Sequence, residues 1–89
     1  MTRDEIRTGV IAALAAVVPE LEPGGLDPRV SLRDQLDIDS MDFLNFTIGL
    51  HKAFGVEIPE TDARQLATLD GCVEYLAARL AARDRPSAA

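Results

Sequence analysis

Residues 36–43 read Leu36-Asp37-Ile38-Asp39-Ser40-Met41-Asp42-Phe43, and the start of a helix in this stretch decides how the rest of the chain is read. Asp39 and Asp42 have the spacing of an N-cap and an N3 carboxylate, which makes Ser40 the first helical residue. If Ser40 were the cap, N3 would fall on Phe43, which has no group to return the bond. The better capping solution therefore leaves the Ser40 hydroxyl uncommitted and pointing outward. Free N–H groups and the positive end of the helix dipole favour an anion such as a phosphodiester there. The Asp39 and Asp42 carboxylates would partly oppose that anion, so they suit an approaching basic enzyme, or its metal ion, better than the anion itself.

Downstream, the helix that opens at Ser40 should run to Phe54 and stop at Gly55. A short helical turn around Asp62 to Leu66 follows Ile58-Pro59. A last helix begins near Asp70, with a stripe of Leu69, Val73, Leu76 and Leu80. Upstream, Thr2 and Glu5 have capping-box spacing, and Ile6, Val10, Leu14 and Val17 form one apolar stripe. Pro19 and the Glu20–Gly25 stretch end that first helix. The connection from there to about Ile38 is long for a compact domain and is expected to be functional. Leu26, Val30, Leu32 and Leu36 can pin it to the core, and Ser31 with Asp34 can cap a short turn within it. The expected fold is all-α: a small four-helix bundle of three main helices and one short one, with a long loop between the first two main helices. Residues 1–83 form the domain and residues 84–89 a frayed tail.

Composition agrees with this. Of the 89 residues 47% are apolar but only 4% aromatic, so the core must be built from Leu, Val, Ile and Ala with three Phe. Fifteen acidic against nine basic side chains give a net charge of −6. Such a surface repels nucleic acid and suits a partner with a basic face. The lone Cys72 allows no internal disulfide. The opening residues lead directly into a helix without the apolar run of a signal peptide, and no later run is long enough to span a bilayer. The expected location is the cytoplasm.

The residues offer little catalytic chemistry. One His and one Cys cannot assemble a zinc site of Cys and His ligands. Gly24-Gly25 lacks the Lys and Ser/Thr of a phosphate-binding loop. A base for Ser40 is missing: His51 lies eleven residues along the same helix, roughly 16 Å away at 1.5 Å per residue. The chain is read as a non-enzyme, with no catalytic or metal-binding residues.

The string Ser31-Leu32-Arg33-Asp34-Gln35-Leu36-Asp37-Ile38-Asp39-Ser40-Met41-Asp42 resembles the attachment segment of acyl carrier proteins. Phe54-Gly55-Val56-Glu57-Ile58-Pro59 resembles the family's Phe-Gly-Ile-x-Ile-Pro segment, and Thr68–Leu76 the start of its last helix. The three segments keep the family's order and spacing. The resemblance implies 4′-phosphopantetheine attached to Ser40 by a phosphopantetheinyl transferase that brings its own base and Mg²⁺. It also implies a thioester-bound acyl cargo, a loading ligase and a downstream synthase or transferase, and a monomer. Asp39, Met41, Asp42 and Phe43 are the candidate partner contacts.

Two departures matter. Asp37 stands where the family usually has Gly, which a turn tolerates. Asn45, His51, Lys52 and Ala53 replace the acidic residues that stud this helix in fatty-acid carriers, and Phe43 adds apolar surface. A freestanding carrier in a dedicated pathway is therefore expected, rather than one for bulk fatty acid synthesis. The alternatives are an aminoacyl or peptidyl carrier loaded by its own ligase, and an unmodified helical adaptor. On the second main helix, Leu44, Ile48 and Leu50 are assigned to the core. Met41 could face either core or partner, and Phe46 fits no assignment.

Overall fold

The computed structural model describes residues 1–84, and among these every regular element is helical. Four α-helices, α1 (Arg3–Val17), α2 (Leu32–Leu36), α3 (Ser40–Phe54) and α4 (Leu69–Asp84), are joined by loops with 3₁₀ segments at Pro23–Gly25 and Glu60–Leu66. The three long helices and the short segment Glu60–Leu66 give the expected bundle. α2 is the turn that Ser31 and Asp34 foretold, since the Ser31 hydroxyl accepts from the Asp34 N–H. α4 continues through Asp84, and residues 85–89 of the expected tail lie outside the described residues.

Helix α1 begins with a closed capping box. The Thr2 hydroxyl accepts from the Glu5 N–H at 3.1 Å, and the Glu5 carboxylate accepts from the Thr2 N–H at 2.8 Å. The Thr2 backbone N–H, and after it the Thr2 side chain, hold the Glu5 carboxyl below the usual range. Ile6, Val10 and Leu14 are buried as their spacing requires. Val17 is only half-buried, and Val18 closes the helix end in its place.

α1 packs on both α3 and α4. Between them lies one continuous core that includes Phe46, Leu50, Phe54, Leu69, Val73, Leu76 and Leu80. Cys72 is fully buried among these, and burial pushes its thiol up to about 12. On α3 the assignment of Leu44 and Ile48 to the core is corrected: they are 52% and 42% exposed, while Phe46 is fully buried. Both sets of residues obey helical spacing, and the side that meets α1 is the Phe46–Leu50–Phe54 side. Gly55 ends α3 in the left-handed conformation (φ 65°), where a Cβ is disfavoured. The Arg83 guanidinium reaches across from α4 to the Phe54 and Gly55 carbonyls, each at 3.2 Å.

The long connection between α1 and α3 is tied down by backbone and side-chain bonds. The Leu32 N–H donates to the Ala67 carbonyl at 2.7 Å, and the Asp70 N–H to the Pro28 carbonyl at 3.0 Å. Gln35 staples the loop to itself, donating to the Asp27 and Val30 carbonyls and accepting from the Asp27 N–H. Leu32 is buried, and Leu26 and Leu36 pack half-buried against the core. Val30, expected to be a fourth pin, is 41% exposed. Its carbonyl is fixed instead, by the Gln35 amide, so the side chain needs no anchor.

Candidate functional site

The loop just described delivers the chain to the start of α3. The Asp37 N–H closes α2 on the Arg33 carbonyl, and Asp37 adopts the left-handed conformation (φ 51°, ψ 43°). It is the one described residue other than glycine with positive φ. Asp enters this region more readily than most residues, because its side chain can bond the local backbone. The sharp turn this permits, with Ile38 buried beneath it, leads directly into Asp39.

Asp39 is the N-cap. Its backbone is extended (φ −89°, ψ −178°), and its Oδ1 accepts from the Asp42 N–H at 2.8 Å. Ser40 is therefore the first residue of α3, exposed and not used as a cap. The reciprocal bond from the Asp42 carboxylate to the Asp39 N–H is not formed. An Asp at N3 is one methylene shorter than the Glu that closes such a box at Thr2, so its carboxylate stays available.

One side chain touches the Ser40 hydroxyl. Arg33, on α2, places Nη2 at 3.2 Å from Oγ and donates to it. The residue pattern around Asp39 gave no hint of this contact, since Arg33 lies seven positions upstream and reaches Ser40 only because α2 and the Asp37 turn fold the chain back. A cation beside two carboxylates offsets the repulsion that Asp39 and Asp42 exert on an anion at Ser40.

The other predicted contacts fall on two sides. Met41 is 64% exposed and begins an outward stripe with Leu44 and Ile48. Asp42 is half-exposed beside it. Phe43 turns the other way: half-buried, it packs its ring on Phe46 with centroids 5.9 Å apart, and it lines a groove with Arg33 and Arg64. The site thus unites Asp39, Ser40, Asp42 and Arg33, with Met41 and Phe43 on opposite flanks.

Among the described residues no general base approaches Ser40. His51 sits near the far end of α3, where its Nδ1 lies 2.9 Å from the Val56 carbonyl. Among the described residues no cluster of His, Cys, Asp or Glu could hold a metal ion, and no helix is long and apolar enough to cross a membrane. An exposed serine at a helix start, with the capping done by its neighbour, is the arrangement that the sequence resemblance implied.

Comparison with known proteins agrees with that resemblance. The family defined by a phosphopantetheine attachment site matches residues 9–76. An acyl carrier protein from Acidothermus cellulolyticus is 30% identical over 77 residues, covering 86% of this chain and 90% of that protein. The meromycolate extension acyl carrier protein of Mycobacterium tuberculosis is 34% identical over 76 residues, covering 85% of this chain and 65% of its own length. Among solved structures, an acyl carrier protein from Enterococcus faecalis superposes with a TM-score of 0.70 at 25% identity, over 89% of this chain and 99% of that one. The chain belongs to the acyl carrier protein family, whose members carry covalently attached 4′-phosphopantetheine and act as carriers, not enzymes.

Proposed function

We propose that Ser40 is the attachment point of 4′-phosphopantetheine and that this carrier presents an acyl group in a dedicated pathway rather than in bulk fatty acid synthesis. The observation that carries the attachment is the division of labour at the start of α3: Asp39 performs the capping, and the Ser40 hydroxyl stays exposed. The residues fit the group. Ser40 Oγ is the acceptor, and the first N–H groups of α3 together with Arg33 meet the charge of a phosphodiester. A phosphopantetheinyl transferase supplies the base and Mg²⁺ that this chain lacks. When bound, the group provides a terminal thiol that holds the cargo as a thioester.

The dedicated pathway is supported by the outer face of α3. Met41, Leu44 and Ile48 form an apolar exposed stripe, and the helix has one carboxylate, Asp42, in its whole length. A partner that fits this face reads shape and apolar surface more than acidic charge. The carrier unit is residues 1–83, working as a cytoplasmic monomer with a loading ligase and a downstream synthase or transferase. An acyl rather than an aminoacyl cargo is favoured by the relatives above, which are named as acyl carriers.

The test is intact mass of the purified protein before and after incubation with coenzyme A, Mg²⁺ and a broad-specificity phosphopantetheinyl transferase. Wild type gains one phosphopantetheine and Ser40→Ala gains none. Folded wild type that starts without the arm and gains nothing would leave the unmodified adaptor as the better account.

A further inference from the structure

Among the described residues Arg29, Lys52 and Arg64 form neither an ion pair nor a hydrogen bond through their own side chains. Arg29 lies on the loop before α2, and Arg64 on the 3₁₀ segment Glu60–Leu66. Lys52, the sole lysine of the sequence, stands on α3. It follows Ile48 by four positions and Met41 by eleven, so it continues the exposed stripe of Met41, Leu44 and Ile48. The end of α3 is closed without it. The Gly55 N–H donates to the His51 carbonyl at 2.9 Å, and Arg83 serves the Phe54 and Gly55 carbonyls. The outer side of α3 therefore has the Asp39 and Asp42 carboxylates at its Ser40 end, apolar side chains along its middle and a free ammonium at its far end. Asp42 and Lys52 are ten residues apart, about 15 Å along the helix.

We propose that Lys52 orients and selects the partner on this face. The occupant it fits is an enzyme whose apolar docking groove has a basic group near the active-site entrance and a carboxylate about 15 Å away. The inference rests on the reading of the outer face of α3 as the docking surface, given above. An apolar stripe alone fits a groove running in either direction, because burial and dispersion have no polarity. Direction matters here, since in the reversed pose Ser40 sits about 18 Å from the entrance it must serve. Opposite charges at the two ends separate the poses. In the productive one Asp42 meets the basic group and Lys52 the carboxylate; in the reversed one each end brings like charges together. Lys52 also discriminates against an enzyme whose whole docking surface is basic. The net charge of −6 draws such an enzyme in at long range, and an ammonium at the contact itself turns it away.

The test uses the holo carrier, with loading verified by intact mass and folding by circular dichroism. Its probe is a malonyl transacylase of bulk bacterial fatty acid synthesis, chosen for a docking surface of Lys and Arg side chains. Lys52→Glu raises kcat/KM about tenfold through a lower KM, because one unfavourable charge pair is removed and a favourable one supplied. Lys52→Gln falls between it and wild type. Arg29→Glu makes the same change in net charge away from α3 and alters kcat/KM by less than about twofold. Single reversals of the transacylase's docking cations to Glu then find the counterpart of Lys52: at one position the reversal improves wild type and impairs Lys52→Glu. No gain in Lys52→Glu, an equal gain in Arg29→Glu, or no such position overturns the proposal. Ile48→Ser separates this from the docking reading, since it lowers kcat/KM wherever the face docks, whatever Lys52 does. Unchanged rates in both Ile48→Ser and Lys52→Glu remove the face itself. Wild type that cannot be loaded removes the carrier reading, and the role of Lys52 with it.

Discussion

The two long helices α1 and α3 begin with the same device and finish it differently. At α1, Thr2 and Glu5 exchange two hydrogen bonds and leave neither side chain free. At α3, Asp39 makes its half of the bargain, the shorter Asp42 does not reach back, and Ser40 stands between them exposed. Both starts satisfy an orphan N–H, so both stabilise their helices. The α1 start does nothing else. The α3 start keeps a hydroxyl and a carboxylate out of the cap, with the Arg33 guanidinium bonded to the hydroxyl, and these are groups a modifying enzyme and its product could use.

The sharpest way to break the contrast is to remove one side chain from each start. Ser40→Ala abolishes loading with phosphopantetheine, yet shifts the unfolding free energy by no more than about 0.5 kcal/mol, as for a surface site outside any cap. Thr2→Ala does the reverse: loading is kept, and about 1 kcal/mol of stability is lost in urea unfolding. Asp39→Ala should also cost about 1 kcal/mol, and a loss as small as that of Ser40→Ala would show that Asp39 is not the cap. Asp37→Gly relieves the left-handed Asp before α3 and raises stability by roughly 0.5 kcal/mol, without affecting loading. Asp42→Glu supplies the missing methylene, closes the second box and gains a few tenths of a kcal/mol.

The smallest effect is in pH. The Glu5 carboxyl is held low by its bonds to Thr2. Its folded pKa lies below its unfolded value, so its contribution is present above about pH 4.5 and fades as pH falls through the depressed value. Glu5→Gln removes that part of the acid dependence; an unchanged acid limb in the variant would show that the box does not hold the carboxylate.

The contrast also marks what local sequence can reveal. Both helix starts were legible, because a cap is settled within four residues by hydrogen bonds of fixed reach. The face of α3 was not. Met41, Leu44 and Ile48 keep helical spacing, and so do Phe46, Leu50 and Phe54, so periodicity alone could not say which stripe would meet α1. Leu44 and Ile48 were accordingly misplaced, and the buried Phe46 found no assignment. Arg33 and Gln35 were missed for a related reason. Each acts across a fold in the loop, on Ser40 and on the Asp27 and Val30 backbone, and no periodic pattern signals such contacts.

The exposed stripe gains meaning from that correction. Because Leu44 and Ile48 are not core, α3 presents a continuous apolar edge that starts beside Ser40. A partner seated there would lie next to Ser40, on the side opposite the groove lined by Phe43.

The central claim is that Ser40, and no other hydroxyl, receives the arm. Trypsin cleavage after Arg33 and Lys52 releases the peptide Asp34–Lys52, in which Ser40 is the sole serine and Thr47 the sole threonine. Tandem mass spectrometry of that peptide from loaded protein tests the claim most directly. The account predicts the phosphopantetheine mass on fragments that contain Ser40, and on none that contain Thr47 without it. The added mass on Thr47, or on a peptide elsewhere in the chain, would contradict it.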